Sequence, residues 1–267
     1  MHFTPGRTAD RRRNGWSTTL RPMHRARLMS SRPSWWSQLV LVVGFLFAYD
    51  QLRAWHGNVV GVAVHNGREV LSVDRWLHVA WSQPMDTWLA GHATAGILLA
   101  GYYVVMHLGA TTGMLLALFL WSPAYRRHRN ALLILSLLAL IVFWVYPTAP
   151  PRLLPGFHDT VRHDLPFAYQ AETDGANLYA AMPSLHVAWA VWVAVSVRAL
   201  TARKWVRLLA ALHPVATAVS VLATGNHYML DVLAGAALTP VGYLVLGVGE
   251  RLRHRFAVGS AHAVRRT

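Results

Sequence analysis

His227 and Asp231 stand four residues apart in a stretch otherwise almost free of charge. On a helix such an i,i+4 pair shares one face, one turn apart. A carboxylate placed there accepts a proton from one imidazole nitrogen, which fixes the tautomer and leaves the other nitrogen as a nucleophile or base. A second histidine, His186, closes the run Met182-Pro183-Ser184-Leu185-His186, in which Pro and Ser are natural helix starters. A third run, Tyr146-Pro147-Thr148-Ala149-Pro150-Pro151-Arg152, ends in a planar, permanently charged donor fork suited to phosphate oxygens. Nucleophile, orienting acid, proton donor and anion binder together make a phosphoryl-transfer constellation, provided the fold brings them to one place.

The elements that must do so are membrane spans. Of 267 residues, 54% are hydrophobic and only 13% charged, against about 25% charged in soluble domains, which excludes an ordinary water-soluble globule. Cysteine is absent, so a thiolate nucleophile, a zinc-thiolate site and an iron-sulfur cluster are excluded as well. Charge-poor stretches predict helices near 35–52, 93–121, 131–147, 184–200, 207–224 and 228–248, each able to hold the roughly 20 apolar residues of a span. With the N-terminus in the cytoplasm, six spans leave twenty of the 25 cations inside and five outside: Arg53, Arg68, Arg75, Arg152 and Arg162. That is the positive-inside pattern, and a seventh span would break it by sending Arg126 to Arg129 outward. The net charge of +14 therefore lies in loops, and no nucleic-acid partner is expected.

The fold class read from this pattern is all-α, a polytopic six-transmembrane-helix bundle. Residues 1–34 form a basic cytoplasmic arm expected to be disordered, unless the chain starts at Met23 or Met29. Residues 35–92 hold the first span and an outer amphipathic segment, 93–250 the catalytic core, and 251–267 a basic cytoplasmic tail. Both termini are expected in the cytoplasm of a bacterium, with the active site on the extracytoplasmic side of the plasma membrane. Between Arg53 and Asp86, Val70, Val73, Leu77, Ala80 and Trp81 recur at helical spacing, with Glu69, Asp74, Arg75 and His78 interleaved. The proline-bearing segment Thr148 to Met182 reads as an irregular outer lid. The fourth and sixth spans then start on the same outer face, so His186 and His227 can converge. Their N-terminal amides are expected to attract phosphate. Trp35, Trp36, Trp81, Trp88, Trp121 and Trp144 fall near span ends as an aromatic belt.

These runs resemble the type 2 phosphatidic acid phosphatase superfamily and, within it, the branch of the inositol phosphorylceramide synthases. The family's motifs, KxxxxxxRP, PSGH and SRxxxxxHxxxD, have as counterparts PPRLLPG, PSLH and SVLATGNHYMLD, in the same order. The likeness covers about Thr94 to Gly247, with earlier support from Tyr49 to Arg53 and Tyr103 to His107. The resemblance implies that His227 forms a phosphohistidine, Asp231 orients it, His186 protonates the leaving group and Arg152 holds phosphate. It implies either a lipid phosphatase or a phosphotransferase of the inositol type, acting on a membrane lipid without metal or other cofactor.

This chain also departs from the family pattern. The first-motif Lys has no counterpart, PSGH is PSLH, and the third-motif Arg position holds Val221 after Ser220. Asn226, His107 and Tyr103 are the nearest candidates for the lost phosphate contacts, Ser184 is a further phosphate-binding candidate, and Asn226 also reads as the cap of the sixth span. Tyr103 and His107 are candidate substrate-binding residues. The rival classes are a transporter relaying protons through Asp231 and the histidines, and a non-catalytic membrane scaffold. The oligomeric state is not legible in the sequence.

Overall fold

The structure, a computed structural model, describes residues 33–54, 59–164 and 178–264, with side chains in 33–48, 59–163 and 178–255 and at position 51. Most of the basic arm lies outside the described residues, as do residues 165–177 of the outer lid. The chain is built from α1 (Trp35–Ala54), α2 (Val60–Trp76), α3 (Ser82–Ala90), α4 (Ala93–Trp121), α5 (Tyr125–Val145), α6 (Thr160–Asp164), α7 (Leu185–Ser196), α8 (Lys204–Ala223) and α9 (Met229–Val264). Short 3-10 turns occupy Pro151–Leu153 and Val197–Ala199. The described residues contain no strand, only a parallel bridge between Thr148 and Ala180.

Four of these helices are long and apolar enough to cross a membrane: α4, α5, α8 and the Met229–Arg255 part of α9. The Trp35–Ala48 part of α1 and the Leu185–Ala199 segment are also apolar. The fifteen residues of Leu185–Ala199, at about 1.5 Å each, reach about 22 Å, less than the roughly 30 Å of a hydrocarbon core. α7 is nevertheless largely covered by its neighbours. α7 packs against α4, α5, α8 and α9, and Leu185, Val187, Ala188, Trp189, Ala190, Trp192 and Val193 are all buried. It is a central post with most of its surface covered by other helices. α4, in contrast, exposes Leu98, Val105, Leu108 and Leu116, the face expected of a lipid-contacting helix. All six tryptophans read as a belt are exposed.

The main core joins α5, α7 and α4 through Leu118, Leu132, Leu135, Phe143, Trp189 and Trp192. A second cluster, with Ala100, Tyr103, Val187, Val221 and Val232, joins α4, α7, α8 and α9. A smaller one, Val70, Leu71, Leu154 and Tyr228, seats α2 against the turn before α9. At the opposite end of the bundle, Arg129 of α5 bonds Gln38 of α1.

Two expectations need correction. The third span begins earlier than residue 131: α5 takes in Arg126, Arg127 and Arg129 as its first turns, because a basic helix end emerging from a bilayer is solvated and need not unwind. The helix of the last span continues to Val264, so most of the basic tail from residue 251 is helical. The amphipathic helix is present as α2: its buried stripe is Ala63, Asn66, Gly67, Val70, Leu71 and Asp74, whereas Val73, Leu77 and Trp81 are exposed. The buried stripe docks on the rest of the protein through polar contacts as well as through Val70 and Leu71. Asn66 Nδ2 donates to Pro147 O at 2.8 Å, and Ala149 N donates to Ala63 O at 2.9 Å. A Cβ on Gly67 would stand 2.7 Å from Ala149 O, closer than side chains approach backbone, so the contact requires glycine.

Candidate active site

The last turn before α9 and the first turn of that helix carry the candidate pair, His227 and Asp231. His227 Nδ1 lies 3.3 Å from Asp231 Oδ2, with the histidine nearly and the aspartate fully buried. The i,i+4 spacing does this locally, although His227 precedes the helix rather than lying within it. The same Oδ2 accepts the Tyr228 backbone N–H at 3.0 Å, so Asp231 both caps its own helix and orients the imidazole. With Nδ1 facing the acid, Nε2 is the nitrogen left for chemistry, and it lies 3.4 Å from His186 Nδ1. The two rings meet edge to face, centroids 5.5 Å apart.

His186 is brought there by the start of α7. Ser184 is the N-cap of that helix, its Oγ accepting Val187 N at 3.4 Å, and its own N–H donates to Asp231 O at 3.0 Å. The first turns of α7 and α9 are thus bonded to each other. A Cβ on Gly235 would fall 2.2 Å from Ser184 O, so only glycine permits this approach. Two rings from α4 complete the wall: Tyr103 stacks on His186 at 4.5 Å, and His107 tilts against it at 4.0 Å. Behind His107 lies Trp189, parallel within 5° at 4.4 Å. Trp189 is also held by its Nε1 donating to Ser136 Oγ at 3.0 Å.

Arg152 joins through the backbone. Its N–H donates to Gly225 O at 2.8 Å, two residues before His227. Thr148 N donates to Tyr179 O at 2.7 Å and Ala181 N to Thr148 O at 3.1 Å. These bonds close the base of the outer loop and hold it beside α7. The Arg152 side chain is nearly buried, its Nε 3.9 Å from Asp159 Oδ2, and that Nε makes no hydrogen bond. Asn226 is buried, with Nδ2 donating to Thr224 Oγ1 at 2.7 Å and Oδ1 unbonded. The structure therefore gathers His227, Asp231, His186, Tyr103 and His107 in direct contact, ties Arg152 and Asn226 to the adjoining turn, and assigns Ser184 to a cap.

Two roles differ from expectation. Asn226 does not cap α9, because its side chain turns back to Thr224 at the end of α8. Nor are the first amides of α9 open to phosphate: Met229 N and Leu230 N donate to Asp74 at 2.8 and 3.1 Å.

Asp74 and Asp86, both fully buried, are the functional-site neighbours that sequence reasoning passed over. Asp86 Oδ2 accepts both the backbone N–H of His158 at 2.9 Å and its Nδ1 at 3.0 Å, bracing the loop that follows Arg152. Burial pushes both carboxyls above the usual carboxylate range, while the Met229 and Leu230 amides at Asp74 and the His158 bonds at Asp86 pull them back. The available signal was scarcity: the whole chain has only 11 acids, and Asp74 lies one turn beyond Val70 and two beyond Asn66. Among the described residues, no group of three or more His, Cys, Asp or Glu side chains is arranged to hold a metal ion.

Comparison with known proteins bears on this arrangement. No curated protein and no solved structure matches the chain. The model of the PAP2 superfamily matches residues 68–245, a span that runs from α2 to α9 and includes Asp74, Arg152, His186, His227 and Asp231. With two thirds of its length so matched, the chain belongs to the PAP2 superfamily.

Proposed function

We propose that this membrane protein is a phosphoryl-transfer enzyme acting on a lipid phosphate or phosphodiester at the extracytoplasmic membrane face. The observation that carries the reading is the placement of His227 between a buried carboxylate at 3.3 Å and a second imidazole at 3.4 Å. His227 Nε2 attacks phosphorus in line, and Asp231 holds the tautomer and stabilises the imidazolium that develops. His186 gives a proton to the departing oxygen and then serves as base for the acceptor. Arg152 supplies charge to the phosphoryl oxygens. No step calls for a metal ion. Superfamily membership supports the chemistry at the coarser level, since its members are generally phosphatases or phosphotransferases.

The topology proposed with it is six spans, α1 and α7 joining the four long helices, with both termini cytoplasmic. The charge distribution supports that orientation. Water as acceptor makes the protein a lipid phosphatase; a lipid alcohol makes it a transferase like the inositolphosphotransferase branch that its sequence resembles. The catalytic residues serve both, and the outer loop after Arg152 is the segment placed to select between them.

The test is phosphate release from lipid phosphates and polyprenyl pyrophosphates, and head-group transfer from phosphatidylinositol to a lipid alcohol. Both are run in detergent with EDTA, for wild type and His227→Ala. Turnover that survives EDTA and disappears in the variant is expected. Equal turnover in a folded His227→Ala protein overturns the mechanism.

A further inference from the structure

α9 has no local acceptor for the amides of its first two residues. The residues just before it are Asn226, whose amide group is engaged with Thr224, His227, whose ring faces Asp231 and His186, and Tyr228, whose hydroxyl donates to Ala149 O at 2.9 Å. Asp231 satisfies the Tyr228 N–H only. The next two amides, of Met229 and Leu230, are met by Asp74 from the other side of a 155-residue separation, one carboxylate oxygen each. Helix N-termini normally take such acceptors from within their own first turn, so α9 depends on a distant element for its start.

We propose that Asp74 is a positioning residue for the reaction: from α2 it clamps the first turn of α9, sets the relation of His227 to Asp231, and reserves that helix end against substrate phosphate. The inference rests on the phosphotransfer reading above. Three features carry it. Both Asp74 oxygens are used, on residues two and three positions after His227, with Leu230 directly preceding Asp231. The carboxylate is fully buried, and a charge is held there only because two amides and the positive end of the α9 dipole compensate its desolvation. Finally, α2 grips the Arg152 segment as well, through Asn66 to Pro147 and Ala63 to Ala149. One helix thereby holds the nucleophile's turn and the phosphate-binding turn in a common frame. An anion entering the site meets a carboxylate where the free helix end would have been, and is directed toward Arg152 and His227 Nε2.

The experiment compares full-length wild type, Asp74→Ala, Asp74→Asn and Ser196→Ala in detergent. Ser196 is a buried hydroxyl at the inner end of α7, bonded to His128, and controls for loss of stability away from the site. The measurements are kcat, KM, the rate of phosphohistidine formation after alkaline quench, and hydrogen exchange in the peptide containing Met229 and Leu230. Asp74→Ala is expected to lower kcat and phosphohistidine formation by about 10- to 100-fold, in line with the loss of a group that orients a reactive ligand. KM is expected to change less than about threefold, and exchange at Met229 and Leu230 to rise. Asp74→Asn keeps one acceptor and should recover part of the rate, and it carries the test if the alanine protein does not fold. Ser196→Ala should lose stability without losing kcat. Equal kcat in wild type and both Asp74 variants, or a fall no larger than in Ser196→Ala, overturns the proposal while leaving the phosphotransfer reading in place. Turnover that persists in His227→Ala overturns that reading and the proposal with it.

Discussion

His227 and His128 are histidines of one bundle that differ in what stands behind the ring. At the outer end, His227 Nδ1 faces a carboxylate. His128, in the first turn of α5, has Nδ1 within 2.5 Å of Tyr243 Oη and 3.0 Å of Ser196 Oγ, and its carbonyl accepts Trp192 Nε1 at 2.9 Å. Tyr243 lies fourteen residues into α9, about 21 Å along the helix from its start. A third histidine, His213 in α8, pairs with Tyr102 Oη at 2.6 Å. Hydroxyls donate or accept as the imidazole requires, so they fix neither tautomer nor charge. A carboxylate only accepts when ionised; it forces the proton onto Nδ1, frees Nε2 and stabilises the imidazolium. Ring contacts are thus shared by all three, and the acid, with fuller burial, distinguishes His227 from the other two. His128 ties α5, α7 and α9 together; His213 ties α8 to α4.

The largest break of this comparison comes from the nucleophile. His227→Ala is expected to lower turnover by about 10⁴-fold or more and to abolish the phosphohistidine, read by alkaline-stable labelling. Asp231→Asn converts the outer histidine toward the inner kind: the amide imposes no tautomer, and kcat is expected to fall by about 10²-fold or more with folding kept. Arg152→Ala should act on substrate rather than on the nucleophile, with kcat/KM falling about 10- to 100-fold and KM carrying much of the loss. Smallest are the ties. His128→Phe and His213→Phe are expected to leave kcat within about twofold. Each removes hydrogen bonds of the kind worth about 0.6 kcal/mol between membrane helices, so the reduction in Tm is expected to be a few degrees at most. A loss of turnover in either, comparable with Asp231→Asn, would erase the distinction between reactive and structural histidines.

Local patterns in the chain translated well. The 93–121 span coincides with α4, and the starts predicted at 35, 184, 207 and 228 fall within three residues of the helices. Long apolar runs permit no other backbone arrangement in a bilayer, because every amide must be bonded within its own segment. The start that differs most is a charged one: Arg126, Arg127 and Arg129, which lie before the predicted start at 131, are helical. The segment after Arg53 is legible as a helix, but its docking through Asp74 is not. Asp74 is fully buried while Val73 and Leu77 are exposed, and a buried acid with two amide partners is invisible to a scale that scores residues one at a time.

Sequence by itself determined the order of the apolar segments, the His227 and Asp231 pairing, and the start of α7 at Ser184. Each is settled by residues within about one helical turn of one another, where backbone geometry leaves little choice. Tertiary structure alone decided that His186 Nδ1 meets His227 Nε2 rather than Asp231, that Tyr103 and His107 stack on His186, and that Arg152 is bound to Gly225. It also decided that the amides of α9 belong to Asp74 and not to an incoming phosphate. Those contacts join residues 41 to 156 positions apart, and they exist because close packing at Gly67 and Gly235 lets the helices approach within hydrogen-bonding distance, a condition set by the whole bundle at once.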